Sequence, residues 1–283
     1  MRFQARNVLL ALPVVCIIAI GILFSSCNGY QKLLKSSDVN YKLTKANEYF
    51  NNKDYAKAQE LYESLMPVMK NTRNYEPLYY RYAYTYYYMK EYLIASFQFK
   101  NFAEAFPNSP DAEECEYMHG YCLYKDAPNF TLDQTNTVKS MEALQSFVNT
   151  HPKSKYAVQA NDVIFDCHNK LESKDADAAR LYYNLGPYRP DCYKAAYVAY
   201  KSVMHNYPES TNMDLYQSMT VKALYYYAKE SIPEKQEERF ASAMGAYQEL
   251  LSSYPNSKYL QDAGKFNTLA DNNIKKIRNN EHK

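Results

Sequence analysis

The stretch PLYYRYAYTYYYMKEYLIASFQFKNFAEAFPNS, residues 77–109, contains the pattern that decides the fold. In its second half, Ala95, Phe99 and Phe102 follow one another at intervals of four and three residues, which places them on one face of an α-helix. Pro107 then ends that helix, because proline lacks a backbone N–H and clashes with the preceding turn. The first half carries a similar stripe of tyrosines. The stretch therefore predicts two helices joined by a short turn.

The same pattern recurs along the chain, and each copy ends in a short phrase in which a serine follows a proline by two residues. A small residue stands twelve positions before each proline, where it allows a neighbouring helix to approach closely. The serine of the phrase is placed to cap the next helix. The phrases are FPNS at 106–109, HPKS at 151–154, YPES at 207–210 and YPNS at 254–257, and the small residues are Ala95, Ser140, Ala196 and Ala243.

A fifth copy lies nearer the N-terminus, with Ala58 as its small residue and Lys70 in the place of the proline. The five small residues are then separated by 37, 45, 56 and 47 positions, spacings that suit helical hairpins with insertions. Bulky residues follow each small residue after four and seven positions. These are Tyr62, Phe99, Leu144, Tyr200 and Tyr247, and then Leu65, Phe102, Phe147, Val203 and Leu250.

The copies resemble the tetratricopeptide repeat, in which the first helix carries a small residue about twelve positions before that of the second helix. Ala83 and Ala95 match this spacing in the second copy, and Ala46 and Ala58 match it in the first. Gly120 is the small residue of the third copy. The fourth and fifth copies match the repeat mainly in their second helices, so the pattern locates their first helices less directly. The resemblance implies an all-α fold, a tetratricopeptide-like solenoid of about five helical hairpins.

This solenoid is expected to occupy residues 39–278, with a frayed tail at 279–283. Insertions are expected at 125–136 and at 182–192, where Gly186 and two prolines interrupt the helical pattern. The expected helices are 39–51, 55–69, 75–89, 91–106, 110–125, 135–150, 154–172, 189–206, 211–230, 235–254 and 258–278.

The first 26 residues have the layout of a secretory signal, with two arginines, an apolar run and the small pair Ser25 and Ser26. The apolar run, about 17 residues, is at the lower limit for crossing a bilayer. Because Cys27 follows the small pair, the segment resembles a bacterial lipoprotein signal, which implies removal of residues 1–26 and lipidation of Cys27. An ordinary cleaved signal and a retained transmembrane anchor are the alternatives. Residues 27–38 would form a lipidated tether that reaches at most about 40 Å.

The charge balance and the motifs argue against several classes of function. Removal of the signal takes away two of the 33 basic residues and none of the 31 acidic ones, so the mature chain is neutral. A nucleic-acid binder usually has a basic balance, and none is present. The sequence also contains no G-x-S-x-G, glycine-rich phosphate loop or H-E-x-x-H motif. We therefore predict neither an enzyme nor a cofactor.

Four cysteines remain after removal of the signal and lipidation of Cys27. Their spacing matches no familiar disulfide framework, so we expect small buried packing residues, and disulfide pairing is left open. Two of them share a helical face with His119, but a metal site is not predicted because no C-x-x-C pair is present. The four are Cys115, Cys122, Cys167 and Cys192.

Tyrosine is unusually abundant, with 32 residues, and two first helices carry it in excess of their core positions. Such helices line the concave surface in stacked hairpins, where extended chains usually bind. The alternative is that tyrosine fills the core. The predicted binding residues are Tyr80, Tyr84 and Tyr87 in the second repeat and Tyr117, Tyr121 and Tyr124 in the third.

A neutral, exported helical-repeat chain with a lipid-modified cysteine shortly before its first repeat resembles the BamD-like outer-membrane assembly lipoproteins. The resemblance implies a periplasmic scaffold at the outer membrane. Its N-terminal repeats would receive unfolded β-barrel precursors, and its C-terminal repeats would dock the barrel-forming, BamA-like insertase subunit. Two alternatives remain open, namely another envelope repeat lipoprotein, such as a peptidoglycan or division scaffold, and a surface glycan-binding lipoprotein.

Overall fold

The computed structural model describes residues 29–281, and every regular element in that range is an α-helix. The signal prediction and Cys27 lie outside the described residues. Among the described helices, none is long and apolar enough to cross a membrane. Residues 29–34 are helical, and the helices that follow them are α1 (Val39–Asn51), α2 (Tyr55–Met69), α3 (Tyr75–Tyr88), α4 (Tyr92–Ala105), α5 (Ala112–Asp126), α6 (Thr135–Thr150), α7 (Ala157–Leu185), α8 (Asp191–Asn206), α9 (Met213–Lys229), α10 (Pro233–Ser253) and α11 (Leu260–Glu281).

The predicted helices are confirmed to within a few residues, except that the one expected at 154–172 is α7 and runs on to Leu185. Residues 172–185 contain Ala, Leu, Glu and Lys but no proline or glycine, so nothing stops the helix earlier. Gly186 and Pro187 follow directly. Glycine is required at 186, because a Cβ there would lie 2.2 Å from the ring of Tyr193. The interruption expected from 182 therefore begins only after Leu185.

The repeat register is confirmed by burial. All five small residues that define the copies are completely buried. The bulky residues that follow them are buried as well, apart from Tyr247, which is half-buried. Because a buried small residue marks a close helix–helix approach, these positions are packing contacts. The five small residues are Ala58, Ala95, Ser140, Ala196 and Ala243.

The chain divides into two compact units. Unit 1 contains α1 to α5 together with the segment Asn149–Tyr156. Unit 2 contains Ala127–Val148, which holds most of α6, and the chain from Ala157 onwards. In unit 2, a core formed by α9, α10 and α11 includes Val221, Phe240 and Leu250. A single continuous solenoid over residues 39–278 stays a prediction.

Each proline–serine phrase forms the same local structure. The serine N–H bonds to the carbonyl three residues earlier, and its Oγ accepts the N–H two residues later. The next helix begins three residues after the serine, so the serine lies two residues before the N-cap and is not the capping residue that the sequence predicts. The Oγ also donates to a carboxylate of an earlier helix. These serine–carboxylate pairs are Ser109–Glu76 (2.5 Å), Ser154–Glu113 (2.5 Å), Ser210–Glu172 (2.6 Å) and Ser257–Asp214 (2.7 Å).

The serine–carboxylate pairs locate the first helix of the fourth repeat. In three pairs the carboxylate is the second residue of its helix, but Glu172 lies in the middle of α7. Ala179 follows Glu172 by seven residues, as Ala83 follows Glu76, and both alanines are completely buried. The second half of α7 therefore serves as the first helix of this repeat, which the sequence pattern had left uncertain.

Candidate functional site

The tyrosines of α3 divide between core and surface as their spacing predicts. Tyr79, Tyr82 and Tyr86 are buried together with Ala83. Tyr80, Tyr84 and Tyr87 are half-buried on another face of the helix. Each of these three residues is therefore partly covered by the protein and partly exposed to solvent.

The tyrosines of α5 are less uniform. Tyr121 and Tyr124 are half-buried, whereas Tyr117 is only 8% exposed. The ring of Tyr117 stacks on Tyr121 with centroids 5.6 Å apart and on Tyr156 with centroids 4.9 Å apart. Tyr117 therefore supports its neighbours and offers little ring surface of its own.

The structure brings the two predicted stripes together. Tyr84 lies between Tyr80 and Tyr87, with ring centroids 4.9 Å and 6.1 Å away. Tyr87 of α3 then approaches Tyr121 of α5, with a centroid distance of 6.5 Å. We call the resulting set the tyrosine surface, and it lies within unit 1. Its members are Tyr80, Tyr84, Tyr87, Tyr117, Tyr121 and Tyr124.

Glu114 organises one end of the tyrosine surface. Its carboxylate accepts hydrogen bonds from the hydroxyl groups of Tyr80 (2.9 Å), Tyr84 and Tyr156 (2.5 Å). Hydrogen bonds to an ionised acceptor are stronger than those between neutral groups. One carboxylate of α5 thus fixes two rings of α3 and the ring of Tyr156, which precedes α7.

The environment keeps Glu114 ionised and its phenol partners protonated. Burial acts to raise the pKa of Glu114, but the hydrogen bonds from Tyr156, Tyr84 and Tyr80, together with Lys155, outweigh burial and lower the pKa. Burial, followed by the hydrogen bond to Glu114, raises the pKa of Tyr84 well above its ordinary value. The phenol groups of this end therefore remain neutral over the physiological pH range.

The same rings are backed by buried phenylalanines of α4. The ring of Tyr84 meets Phe99 edge to face, with centroids 4.9 Å apart, and Tyr80 contacts Phe102 at 5.9 Å. Edge-to-face aromatic pairs contribute about 0.5–1.5 kcal/mol beyond the area that they bury. Tyr80 and Tyr84 are consequently held in fixed orientations before any ligand arrives.

Sequence reasoning missed three residues of this region. Glu114 and Tyr156 complete the hydrogen-bonded end, and Tyr88, 45% exposed, contacts Tyr84 and Tyr87 at centroid distances of 5.6 Å and 5.5 Å. Adjacency to Tyr87 was a signal for Tyr88. The sequence contains no comparable signal for Glu114 or Tyr156, because their contacts depend on how separate segments pack together.

The cysteines form no disulfide among the described residues. Cys115, Cys122 and Cys167 are buried, and Cys192 is half-buried. Burial raises the pKa of Cys122 to about 12, so its thiol is unreactive. His119 contacts Ser96 instead of the cysteines, with Nδ1 2.7 Å from the serine Oγ. Within residues 29–281, no group of three or more His, Cys, Asp or Glu side chains is arranged to hold a metal ion.

Comparison with known proteins gives two family matches. The model described as "YfiO: Outer membrane lipoprotein" matches residues 36–198, more than half of the chain. A tetratricopeptide-repeat model matches residues 222–257, which contain the last eight residues of α9 and all of α10. The second match agrees with the all-α, helical-hairpin fold.

Individual relatives are more distant. The outer membrane protein assembly factor BamD of Caulobacter vibrioides is 25% identical over 103 residues, which cover 36% of this chain and 34% of that protein. The alignment thus spans about a third of that relative. Among solved structures, the TPR2AB domain of yeast Sti1 in complex with pHSP90 is 14% identical, with a TM-score of 0.39 and coverage of 83% of this chain and 99% of that one.

Proposed function

Because the chain belongs to the YfiO family of outer membrane lipoproteins, we propose that it is a scaffold on which outer-membrane β-barrel proteins are assembled. The scaffold is non-enzymatic, binds no nucleic acid and is anchored by lipid on Cys27 at the periplasmic face of the outer membrane. Its N-terminal repeats receive unfolded barrel precursors, and its C-terminal repeats dock a barrel-forming, BamA-like subunit. The name of the Caulobacter relative, an outer membrane protein assembly factor, supports this assignment.

The observation that carries the proposal is the tyrosine surface. A barrel strand in transit alternates apolar and polar residues and usually contains aromatic residues. An extended chain of this kind can place alternate side chains against a row of rings, as in other modes of peptide recognition. Tyrosine suits such a role, because its large rigid ring loses little conformational entropy and its hydroxyl can bond to a peptide backbone.

The six rings of the tyrosine surface differ in burial and in their contacts, and this difference supports a narrower choice of binding residues. Tyr80 and Tyr84 donate hydrogen bonds to Glu114, and their rings pack against buried phenylalanines of α4. Tyr117 is buried. Tyr87 and Tyr121 contact one another where α3 meets α5, and both are half-buried. We therefore place the centre of precursor binding at Tyr87 and Tyr121.

The test is the affinity of a fluorescent peptide copied from the C-terminal strand of an outer-membrane barrel protein, measured by anisotropy. Replacing Tyr87 and Tyr121 together by alanine should weaken binding about tenfold, equivalent to about 1.4 kcal/mol. The matched control is Tyr188→Ala, which removes a ring that is 85% exposed and belongs to unit 2. Unchanged affinity in a double variant that melts like the wild type would refute the precursor-binding role.

The docking role is tested separately by co-purification in mild detergent. A barrel-forming outer-membrane protein that travels with the wild-type chain, and also with the Tyr87 and Tyr121 double variant, supports the assembly scaffold. Recovery of peptidoglycan or division proteins in its place would favour the other type of envelope lipoprotein. The glycan-binding alternative predicts that protease added to intact cells digests the chain.

A further inference from the structure

The residues that follow Cys27 are docked on the first hairpin. Residues 29–34 are helical. The hydroxyl of Tyr30 donates to Glu60 Oε2 at 2.7 Å and lies 3.1 Å from the carbonyl oxygen of Lys57, both on α2. Its ring meets Tyr49 of α1 edge to face, with centroids 5.8 Å apart. Tyr30 thus contacts both helices of the hairpin.

Two further contacts hold the same segment. Leu33 is buried, with 8% of its surface exposed. The ammonium group of Lys42, on α1, donates to the carbonyl oxygen of Leu34 at 2.9 Å. Since Lys42 is itself buried, this bond satisfies a charged group that would otherwise be costly to bury. The segment is therefore part of the folded protein, so residues 30–34 of the tether expected at 27–38 are docked.

The docking limits how far the protein can lie from a lipid on Cys27. Three residue steps separate Cys27 from Tyr30, which allow at most about 11 Å of extended chain. The undocked tether from Cys27 to Asp38 would reach about 40 Å. The part of the surface around Tyr30 must therefore lie close to the bilayer.

That part of the surface contains the turn between α1 and α2, residues 52–54. The ammonium group of Lys57 lies 5.9 Å from the ring centre of Tyr30 and 5.2 Å from that of Tyr49. The same ammonium pairs with Asp54 of the turn at 2.6 Å. Lys53, at the tip of the turn, is exposed. The turn therefore carries the exposed Lys53, and Lys57 of α2, which pairs with Asp54 of the turn, lies beside the two tyrosines.

We propose that the α1–α2 turn is a second membrane contact, which rests on phospholipid headgroups beside the lipid on Cys27. The inference depends on the lipidation that the proposed function includes. Tyrosine is enriched at membrane–water interfaces, and lysine extends its ammonium towards phosphate groups from an apolar stem. A lysine near an anionic leaflet contributes favourable electrostatic energy, which adds to that of the acyl chains. The first hairpin is then the membrane-proximal end of unit 1.

The test measures how close this turn lies to headgroups. The full-length lipidated protein is purified from membranes, and mass spectrometry verifies the lipid on Cys27. A bimane label is placed at Lys53→Cys in a Cys192→Ser background, where the remaining cysteines are buried. The protein is reconstituted into vesicles of phosphatidylethanolamine and phosphatidylglycerol that contain a headgroup spin label.

The matched control is Lys90→Cys, at the equivalent turn of the second hairpin. Lys53 and Lys90 are both exposed, lie 37 residues apart and share a left-handed backbone, with φ of 62° and 64°. We expect quenching at position 53 to be roughly twofold stronger, since about 11 Å of chain ties this region to the lipid. Equal quenching at both sites in lipidated protein would overturn the inference and leave the anchor intact. Absence of lipid on Cys27 would overturn both.

Undocking the segment provides a second test. Tyr30→Ala should lower quenching at position 53 to the level at position 90, because the tether then regains its length. Glu60→Gln weakens the hydrogen bond that Tyr30 donates to Glu60, and it changes an exposed residue. This variant replaces Tyr30→Ala in the test if Tyr30→Ala does not fold. Unchanged quenching in a folded variant that has lost the docked segment would also overturn the inference.

Discussion

Glu114 shows how a single side chain orders several aromatic rings. Three phenol hydroxyls, two from α3 and one from Tyr156, converge on its carboxylate, so its removal affects residues that are distant in sequence. Such a group is costly to replace, because each hydroxyl that loses its partner must find water or remain unsatisfied. The ordering of these rings therefore depends on the Glu114 carboxylate and not on the backbone of α5.

Glu114→Gln tests this role. Glutamine keeps the shape but offers one neutral acceptor oxygen, so we expect a loss of about 1–2 kcal/mol in the free energy of unfolding, measured by urea titration. Glu116→Gln, a neighbouring half-buried acid on α5, is the control and should cost less. Equal losses in the two variants would mean that the phenol contacts of Glu114 contribute nothing special.

The pH dependence of unfolding gives an independent measurement. Since the pKa of Glu114 is lowered in the folded protein, its contribution to stability is complete above its ordinary pKa and is lost as the pH falls through the lowered value. Between about pH 5 and pH 3, the wild type should therefore lose more stability than Glu114→Gln. Parallel curves for the two proteins would contradict the lowered pKa.

Ser210 represents the serines of the repeated phrases. Its Oγ accepts the N–H of Asn212 at 3.0 Å and donates to the buried Glu172 at 2.6 Å. Ser210→Ala should lower the free energy of unfolding by about 1–2 kcal/mol, since both bonds are lost. Ser242→Ala, which removes an exposed intrahelical bond on α10, should stay within about 0.5 kcal/mol of wild type. Thermal melting compares the two.

At the scale of the elements, the small residues decide how closely helices pack. Ala95 and Ala243 are completely buried on α4 and α10, so a larger side chain has no space. Ala95→Leu and Ala243→Leu should each cost roughly 1–3 kcal/mol through overpacking. Chemical denaturation would measure this cost, and melting like the wild type in both variants would show that these positions are not at helix contacts.

Gly245 lies on the same helix as Ala243 and provides a control position where a larger side chain has space. It is exposed, and nothing lies within 4 Å of a Cβ added there. Gly245→Ala should therefore stabilise the protein by about 0.5–1 kcal/mol, because alanine favours the helix and meets no obstruction. Destabilisation by both Ala243→Leu and Gly245→Ala would indicate a general sensitivity of α10 in place of a specific packing contact.

At the scale of the whole molecule, attachment and folding are expected to be independent. The described helices contain no membrane span, and the lipid on Cys27 is expected to supply the anchoring, at about 0.8 kcal/mol per buried CH₂. Cys27→Ser should therefore release a folded protein from membranes, which fractionation and circular dichroism would show. Membrane association that survives this change would contradict the lipid anchor.

The helical fold and its register follow from the sequence because they depend on local physics. A stripe at intervals of four and three predicts a helix, a proline predicts its end, and a small residue in the stripe predicts a packing contact. The sequence alone therefore predicts correctly that Ala58, Ala95 and Ala243 are buried at packing contacts. The stripe pattern does not predict the length of α7, because residues 172–185 contain no proline–serine phrase and the helix continues until Gly186.

The contacts between distant segments were decided only by the tertiary structure. Glu114 meets Tyr84 across 30 positions and Tyr156 across 42, and Tyr30 meets Glu60 across 30. No periodicity within one helix encodes such pairs, because they depend on the angle and spacing at which separate helices pack. The sequence by itself thus determined which residues form helices and which faces those helices bury. The packing of the helices determined which tyrosines remain accessible and how Tyr30 docks on the first hairpin.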